Sequence, residues 1–127
     1  MQRILFIIYV KDQNKSKVFY ENILGVKPSL DVQGMTEFTI NQFTKLGLMP
    51  ETGIARILGN NVPNPASANG IPRCEIYLFV DDPQQSYKNA INSGAKPICE
   101  AKTYDWGDIV AYCADLDGNI IAFAKTI

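Results

Sequence analysis

The sequence predicts an α+β fold: tandem βαβββ modules forming a curved mixed sheet around a central cup, with the helices on the convex face. Three observations carry this. The chain repeats itself: "YVKDQNKSKVFYENILGVKP" (9–28) set above "FVDDPQQSYKNAINSGAKP" (79–97) places Val10, Asp12 and Ser16 on Val80, Asp82 and Ser86 at a constant offset of 70. After a one-residue deletion Gly25, Lys27 and Pro28 match Gly94, Lys96 and Pro97, and a repeat of this kind marks a repeated structural unit. Each copy then follows one grammar of strand, capped helix and three further strands, and 127 residues suit one domain holding both copies.

Taken in order, the apolar run 3–10 reads as a strand and Asp12 as the N-cap of the helix after it. Val18, Phe19, Asn22 and Ile23 supply that helix's stripe, and Gly25 stops it. Strands are expected at about 26–33, 35–41 and 43–49. Residues 50–72, rich in Pro, Asn, Gly, Ser and Ala in their later half, read as a long connecting loop with room for one short turn around 54–58. The second copy opens with a strand at 73–80, followed by Asp82 as N-cap and Pro83 in the first helical turn. Its helix has Tyr87, Ala90 and Ile91 on the apolar side and Gly94 as stop, with strands at about 96–102, 107–114 and 119–126. The expected organisation is one domain, 1–127, made of a first module (1–49), a connection (50–72) and a second module (73–127).

Strand alternation assigns faces. If Phe6, Ile8 and Val10 meet the helix, Leu5, Ile7 and Tyr9 face the cup, and by repeat so do Glu75, Tyr77 and Phe79. Glu37 reaches the cup if Phe38 faces the helix, which alternation alone leaves open.

Composition narrows the chemistry. Twelve basic and thirteen acidic side chains, net −1, leave no electrostatic footprint for nucleic acid or an anionic membrane. No run approaches the roughly 18 apolar residues of a membrane span, and the first ten residues are too short for a signal segment, so a cytoplasmic protein is expected. Cys74, Cys99 and Cys113 are isolated and lie in apolar or strand-like runs, which reads as buried reduced thiols. Histidine is absent. That removes the commonest general base, the commonest transition-metal ligand and every Ser-His or Cys-His pair.

The doubled βαβββ grammar, the 9–28 segment and the "DLDGNIIAF" ending together resemble the vicinal oxygen chelate superfamily, which includes glyoxalase I, extradiol dioxygenases, fosfomycin-resistance enzymes and bleomycin-resistance proteins. The resemblance spans the chain. It implies a divalent metal held in the cup by side chains on the first and last strands of each copy. In members reading like H-V-T-L-x-V-x-D the first-strand ligand lies seven residues before the Asp, which here gives Leu5 and Glu75. The last-strand ligand of a "GNLIEL"-like segment falls on Ala122, in "GNIIAF", and its first-copy counterpart falls near Gly47. Leu, Gly and Ala donate nothing to a cation and one carboxylate cannot fix it, so the resemblance argues for the fold and against a metal or other cofactor.

The candidate ligand-binding residues are Glu75, Tyr9, Tyr77, Phe79, Trp106, Leu5 and Ala122, with Glu75 the one candidate for catalysis. Glu75 reads as a cup-facing carboxylate or as the partner of Arg73, two residues away on the same face. Trp106, in "YDWGD", resembles the "WG" segment of bleomycin-resistance-like members and suits a flat ligand at the rim; it also reads as a seal of the loop onto the sheet. Asn60, Asn61 and Asn64 read more simply as turn formers. The expected function is metal-free binding of a small, planar or partly cationic molecule. The alternatives are a glyoxalase-like lyase or isomerase, or dioxygenase-related enzyme, with a non-standard or metal-independent site, and a non-catalytic interaction module. A homodimer is expected, since an apolar strand such as 120–124 at a sheet edge is a liability that association covers.

Overall fold

A computed structural model describes residues 1–127. The chain divides into two compact units, Met1–Ala68 and Asn69–Ile127. The first contains β1 (Ile4–Val10), α1 (Gln13–Leu24), β2 (Leu30–Val32), β3 (Met35–Thr39), β4 (Thr44–Pro50) and α2 (Glu51–Leu58). The second contains β5 (Glu75–Phe79), α3 (Pro83–Asn92), β6 (Lys96–Thr103), β7 (Asp108–Ala114) and β8 (Ile120–Thr126). Each unit has one four-stranded mixed sheet, ordered β1-β4-β3-β2 and β5-β8-β7-β6. First and last strands pair in parallel and the others antiparallel, so both units realise the predicted βαβββ grammar.

Both helices start as their Asp residues dictate. Asp12 is extended and its carboxylate accepts from the Lys15 N–H at 3.0 Å; Asp82 does the same for Gln85 at 3.0 Å. Pro83 opens α3, where its missing N–H costs nothing. Gly25 ends α1 with φ 68°, a left-handed conformation that glycine adopts without strain.

The buried stripe of α1 is Ser16, Phe19 and Tyr20, while Val18 and Asn22 lie exposed, so the stripe sits one position round from the sequence expectation. The reason lies outside the helix. The Gln13 amide nitrogen donates to the Thr36 hydroxyl (2.9 Å) and the Val32 carbonyl (2.8 Å), and its carbonyl accepts from the Gly34 N–H, which fixes the helix azimuth against β3. Thr36 therefore marks the helix-covered face, which it shares with Phe38, Leu46, Leu48, Ile8 and Val10, all buried. Truncating Phe19 in this core would cost about 3 to 5 kcal/mol.

Four further expectations are corrected. Residues 51–58 form a helix where a loop was expected: Pro50 precedes it, Glu51 in its first turn and Arg56 in its last suit the helix dipole, and buried Ile54 anchors it. Two 3-10 turns, Gly59–Asn61 and Pro65–Ala68, follow. The 26–33 strand shrinks to Leu30–Val32. Cys74 is exposed and Cys99 half-buried; only Cys113 is fully buried, its thiol pushed up to about 12 by burial and by the charge of Asp115. Lastly, β8 lies inside its sheet between β5 and β7, so the apolar 120–124 run is not an edge.

The turn before β8 is held by Asp115. Its Oδ1 accepts from the Asp117 and Asn119 N–H groups, both at 2.9 Å, and its Oδ2 from the Asn119 side chain at 3.1 Å. Gly118 has φ 90°, and a Cβ there would run into the Gly70 backbone. Gly118→Ala is therefore expected to cost about 2 to 4 kcal/mol from left-handed strain plus steric displacement, read as a lowered urea midpoint at unchanged slope. A midpoint equal to wild type would contradict this account of the turn.

Candidate functional site

The face of each sheet away from its helix carries the candidate residues. In the first unit Leu5, Ile7 and Tyr9 alternate with helix-facing Ile8 and Val10, and the register aligns Ile7 with Gly47 and Gly47 with Glu37. Glu37 therefore lies on this open face, because Phe38 is buried against the helix, and it pairs with Lys45 at 3.4 Å. Leu30, Val32 and Met35 share the face by register, which makes it mainly apolar.

In the second unit the Tyr87 hydroxyl feels the Cys113 thiol, so Cys113, Ile121 and Phe123 face α3 and the alternate residues face away. The register aligns Tyr77 with Ala122 and Ala122 with Tyr112. Val110, Ala122 and Ala124 form a fully buried floor, with Tyr77, Tyr104 and Tyr112 packed against it. Ala122 thus lies beneath phenol rings.

Around this floor stands an aromatic cluster. Trp106 stacks on Tyr104 with ring centroids 4.4 Å apart and planes 21° from parallel. Tyr104 meets Tyr112 edge-on at 5.8 Å, and Tyr77 meets Phe79 edge-on at 5.4 Å. The Trp106 Nε1–H donates to the Tyr77 hydroxyl (3.1 Å), which donates in turn to the Asp108 Oδ2 (2.8 Å). The indole N–H is thus spent inside the protein, while Trp106 and Phe79 remain 54% and 67% exposed, leaving ring surface for a ligand. Lys102 Nζ lies 5.1 Å from the Tyr104 ring centroid, a cation–π contact.

Burial pushes the Tyr104 hydroxyl up to about 12, helped by the Cys99 thiol 3.7 Å away. Burial also raises Tyr112, with smaller contributions from the charges of Glu75, Cys99 and Asp108. Tyr77 is raised by burial first, and its bond to Asp108 outweighs nothing but adds to that direction, against the opposing donation from Trp106. All three phenols stay protonated at neutral pH and serve as donors and walls, not as bases.

The structure therefore brings Tyr77, Phe79, Trp106 and Ala122 together on one face of the second unit, with exposed Glu75 at the start of β5 and within electrostatic reach of Tyr112. Leu5 and Tyr9 lie on the open face of the first unit. Sequence reading missed Asp108, Tyr104 and Tyr112. Alternation from Ala122 would have found Tyr112 once the β7–β8 register was known, but Asp108 carries no sequence signal beyond its place two residues after Trp106.

The residues at the positions that would hold a divalent metal do not fit one. Leu5, Gly47 and Ala122 offer no donor, and nowhere do three or more His, Cys, Asp or Glu side chains gather. The Gly47 position is also closely lined: a Cβ there would lie 3.2 Å from Ile7 Cγ1 and Met35 Sδ and 3.3 Å from Leu5 Cδ1, so these side chains would have to shift.

Comparison with known proteins matches the glyoxalase-like domain over residues 3–127. The chain belongs to that family, and with it to the vicinal oxygen chelate superfamily. No curated protein matches the sequence. Similar solved structures include a glyoxalase-related enzyme from Fulvimarina pelagi, with TM-score 0.81 and 18% identity over 99% of this chain and 89% of that one. A hypothetical protein from S. aureus gives TM-score 0.75 and 24% identity over 98% and 94%. A glyoxalase / bleomycin resistance protein from Catenulispora acidiphila gives 0.67 and 18% over 100% of both chains. At these identities the likeness establishes the fold. None of the helices of this glyoxalase-like protein is long and apolar enough to cross a membrane.

Installing a carboxylate at the family's last-strand position is expected not to restore metal binding. Ala122→Glu must lodge a charge among Tyr77, Tyr104 and Tyr112, at a cost of several kcal/mol, so thermal stability should drop and no stoichiometric Zn, Ni, Mn or Fe should appear by elemental analysis after dialysis. Near-stoichiometric metal in this variant or in wild type, or glyoxalase activity lost on chelation and regained with metal, would defeat this reading.

Proposed function

We propose that this protein binds a small molecule in the cytoplasm without a metal and without turning it over, in the manner of the bleomycin-resistance group. The ligand is planar or partly cationic and lies against the aromatic face of the second unit. One observation carries this: Trp106, Tyr104, Tyr77 and Phe79 form a linked aromatic surface on a strand framework, held by a stack and a hydrogen bond, with Trp106 and Phe79 still largely exposed. Ring surface held rigid in this way offers stacking at little entropic cost. Glu75, two residues before Tyr77 on β5, supplies an exposed carboxylate. The Catenulispora protein's name, which joins glyoxalase with bleomycin resistance, supports the class. With every phenol of the cluster held protonated, the second unit lacks a phenolate base for an enzymatic alternative.

Trp106 is the only tryptophan, so its fluorescence reports directly on the site. Titration with a panel of flat heteroaromatic molecules is expected to quench or shift that emission. Trp106→Ala should weaken the best binder by about 0.5 to 1.5 kcal/mol beyond the area lost. Unchanged affinity, measured calorimetrically, would move the ligand elsewhere.

We also propose a homodimer. β1 lies at the edge of its sheet and leaves Ile4, Leu5, Phe6 and Ile7 exposed, an apolar edge of the kind that association covers. Sedimentation is expected to give about twice 14.1 kDa; a concentration-independent monomer would reject this.

A further inference from the structure

Asp108 is an unusual carboxylate for its place. It is 9% exposed, at the first position of β7, on the same face as Val110. Its side chain accepts one hydrogen bond, from the neutral Tyr77 hydroxyl, through Oδ2. Asp108 forms no ion pair; Lys17–Asp31, Lys27–Glu21 and Lys45–Glu37 pair within the first unit. Lys102 is turned to the Tyr104 ring, and Lys125, opposite Ile109 in the register, belongs to the other face of the sheet. No fully buried side-chain oxygen or nitrogen lacks a partner, so Oδ1, which has none in the protein, keeps its access to solvent.

A carboxylate nine-tenths buried with one neutral donor is poorly compensated. Burying a charge is tolerable when a counter-charge and further donors meet it, and here the protein provides neither. What it provides is π surface. Tyr77 links to Trp106 through its hydroxyl and to Phe79 through its ring, and both partners are more than half exposed, so aromatic faces flank the approach to the anion. Ring faces and a buried anion favour the same charge on a visitor, since a cation is attracted by the ring quadrupole as well as by the carboxylate.

The geometry points to Asp108 as the charged anchor of the binding site, receiving a protonated amine or amidine whose N–H groups bond to Oδ1 while its body lies on Trp106 and Phe79. This rests on the aromatic-surface reading above and narrows it from a planar ligand of mixed character to an organic cation. It assigns the main electrostatic role to Asp108 in place of Glu75, whose exposed carboxylate is screened by water and salt. Tyr77 and Trp106 act as positioning residues: their relay aims Oδ2 at the phenol and leaves Oδ1 for the ligand.

Calorimetric titration of the full chain at pH 7 with benzylammonium and with its neutral counterpart, benzyl alcohol, tests this. Wild type is expected to prefer the cation by at least about tenfold, the scale of one charge-assisted hydrogen bond. Asp108→Asn should abolish the preference while leaving benzyl alcohol affinity within about twofold, and Glu75→Gln should retain most of it. Equal affinity of wild type for the two probes overturns the proposal and leaves the aromatic surface standing. Binding of neither probe overturns both. A preference lost in Glu75→Gln and kept in Asp108→Asn moves the anchor to Glu75 and also overturns it. Should Asp108→Asn fail to fold by circular dichroism, Glu75→Gln decides the matter: a preference for the cation kept in that variant supports Asp108, and a preference lost in it overturns the proposal.

Discussion

The second unit is organised by one row of side chains, Tyr77, Ala122 and Tyr112, set side by side by the parallel β5–β8 and antiparallel β7–β8 pairings. A methyl group at its centre lets two phenols close over the sheet from either side, with Tyr104 packed against the same floor. Everything polar then follows from where those rings end. The Tyr77 hydroxyl comes to rest beside Asp108, Trp106 reaches it from the loop before β7, and Tyr104 has Trp106 to stack on. The equivalent row of the first unit, Ile7, Gly47 and Glu37, is built the same way, with a residue lacking any side chain at its centre and Leu5, Ile7 and Met35 against it. Both rows have a small residue at the centre.

The small residues at the centres of these rows are part of the packing. Close-packed interiors resist insertion of volume or charge at such positions. The two units diverge in what they packed there. The first used aliphatic side chains and kept its carboxylate, Glu37, paired with Lys45. The second used phenols and left Asp108 with a neutral partner. Polar chemistry is therefore concentrated in the second unit, although the two share one grammar.

Much of the fold was legible because it depends on local rules. Asp12 and Asp82 cap their helices through their own side chains three residues on, and Gly25 ends α1 in a conformation that other residues resist. Alternation placed Leu5, Ile7 and Tyr9 opposite Ile8 and Val10, since period-two geometry is set within the strand, but Phe6, grouped with the helix-facing residues, is 59% exposed. What failed depended on partners distant in sequence. Val18 looked like core until the Gln13 bonds to β3 turned α1 toward Phe19 and Tyr20. α2 was read as loop because two helical turns with a glycine inside them carry little periodic signal, and burial of Ile54 is what holds them.

The sequence by itself determined the repeated βαβββ units, the helix caps and the alternation of strand residues between two faces, because each follows from chain-local geometry. Only the tertiary structure decided that Tyr104 and Tyr112 join Tyr77 above Ala122, that the Trp106 N–H is spent on a phenol, and that Asp108 is buried beside that phenol with no cation near it. Those relations link residues far apart in the chain, Tyr77 and Asp108 being 31 residues apart, and depend on strand register. A shift of one residue along β7 would turn Asp108 and Tyr112 to the helix side and leave the same composition with a different chemistry.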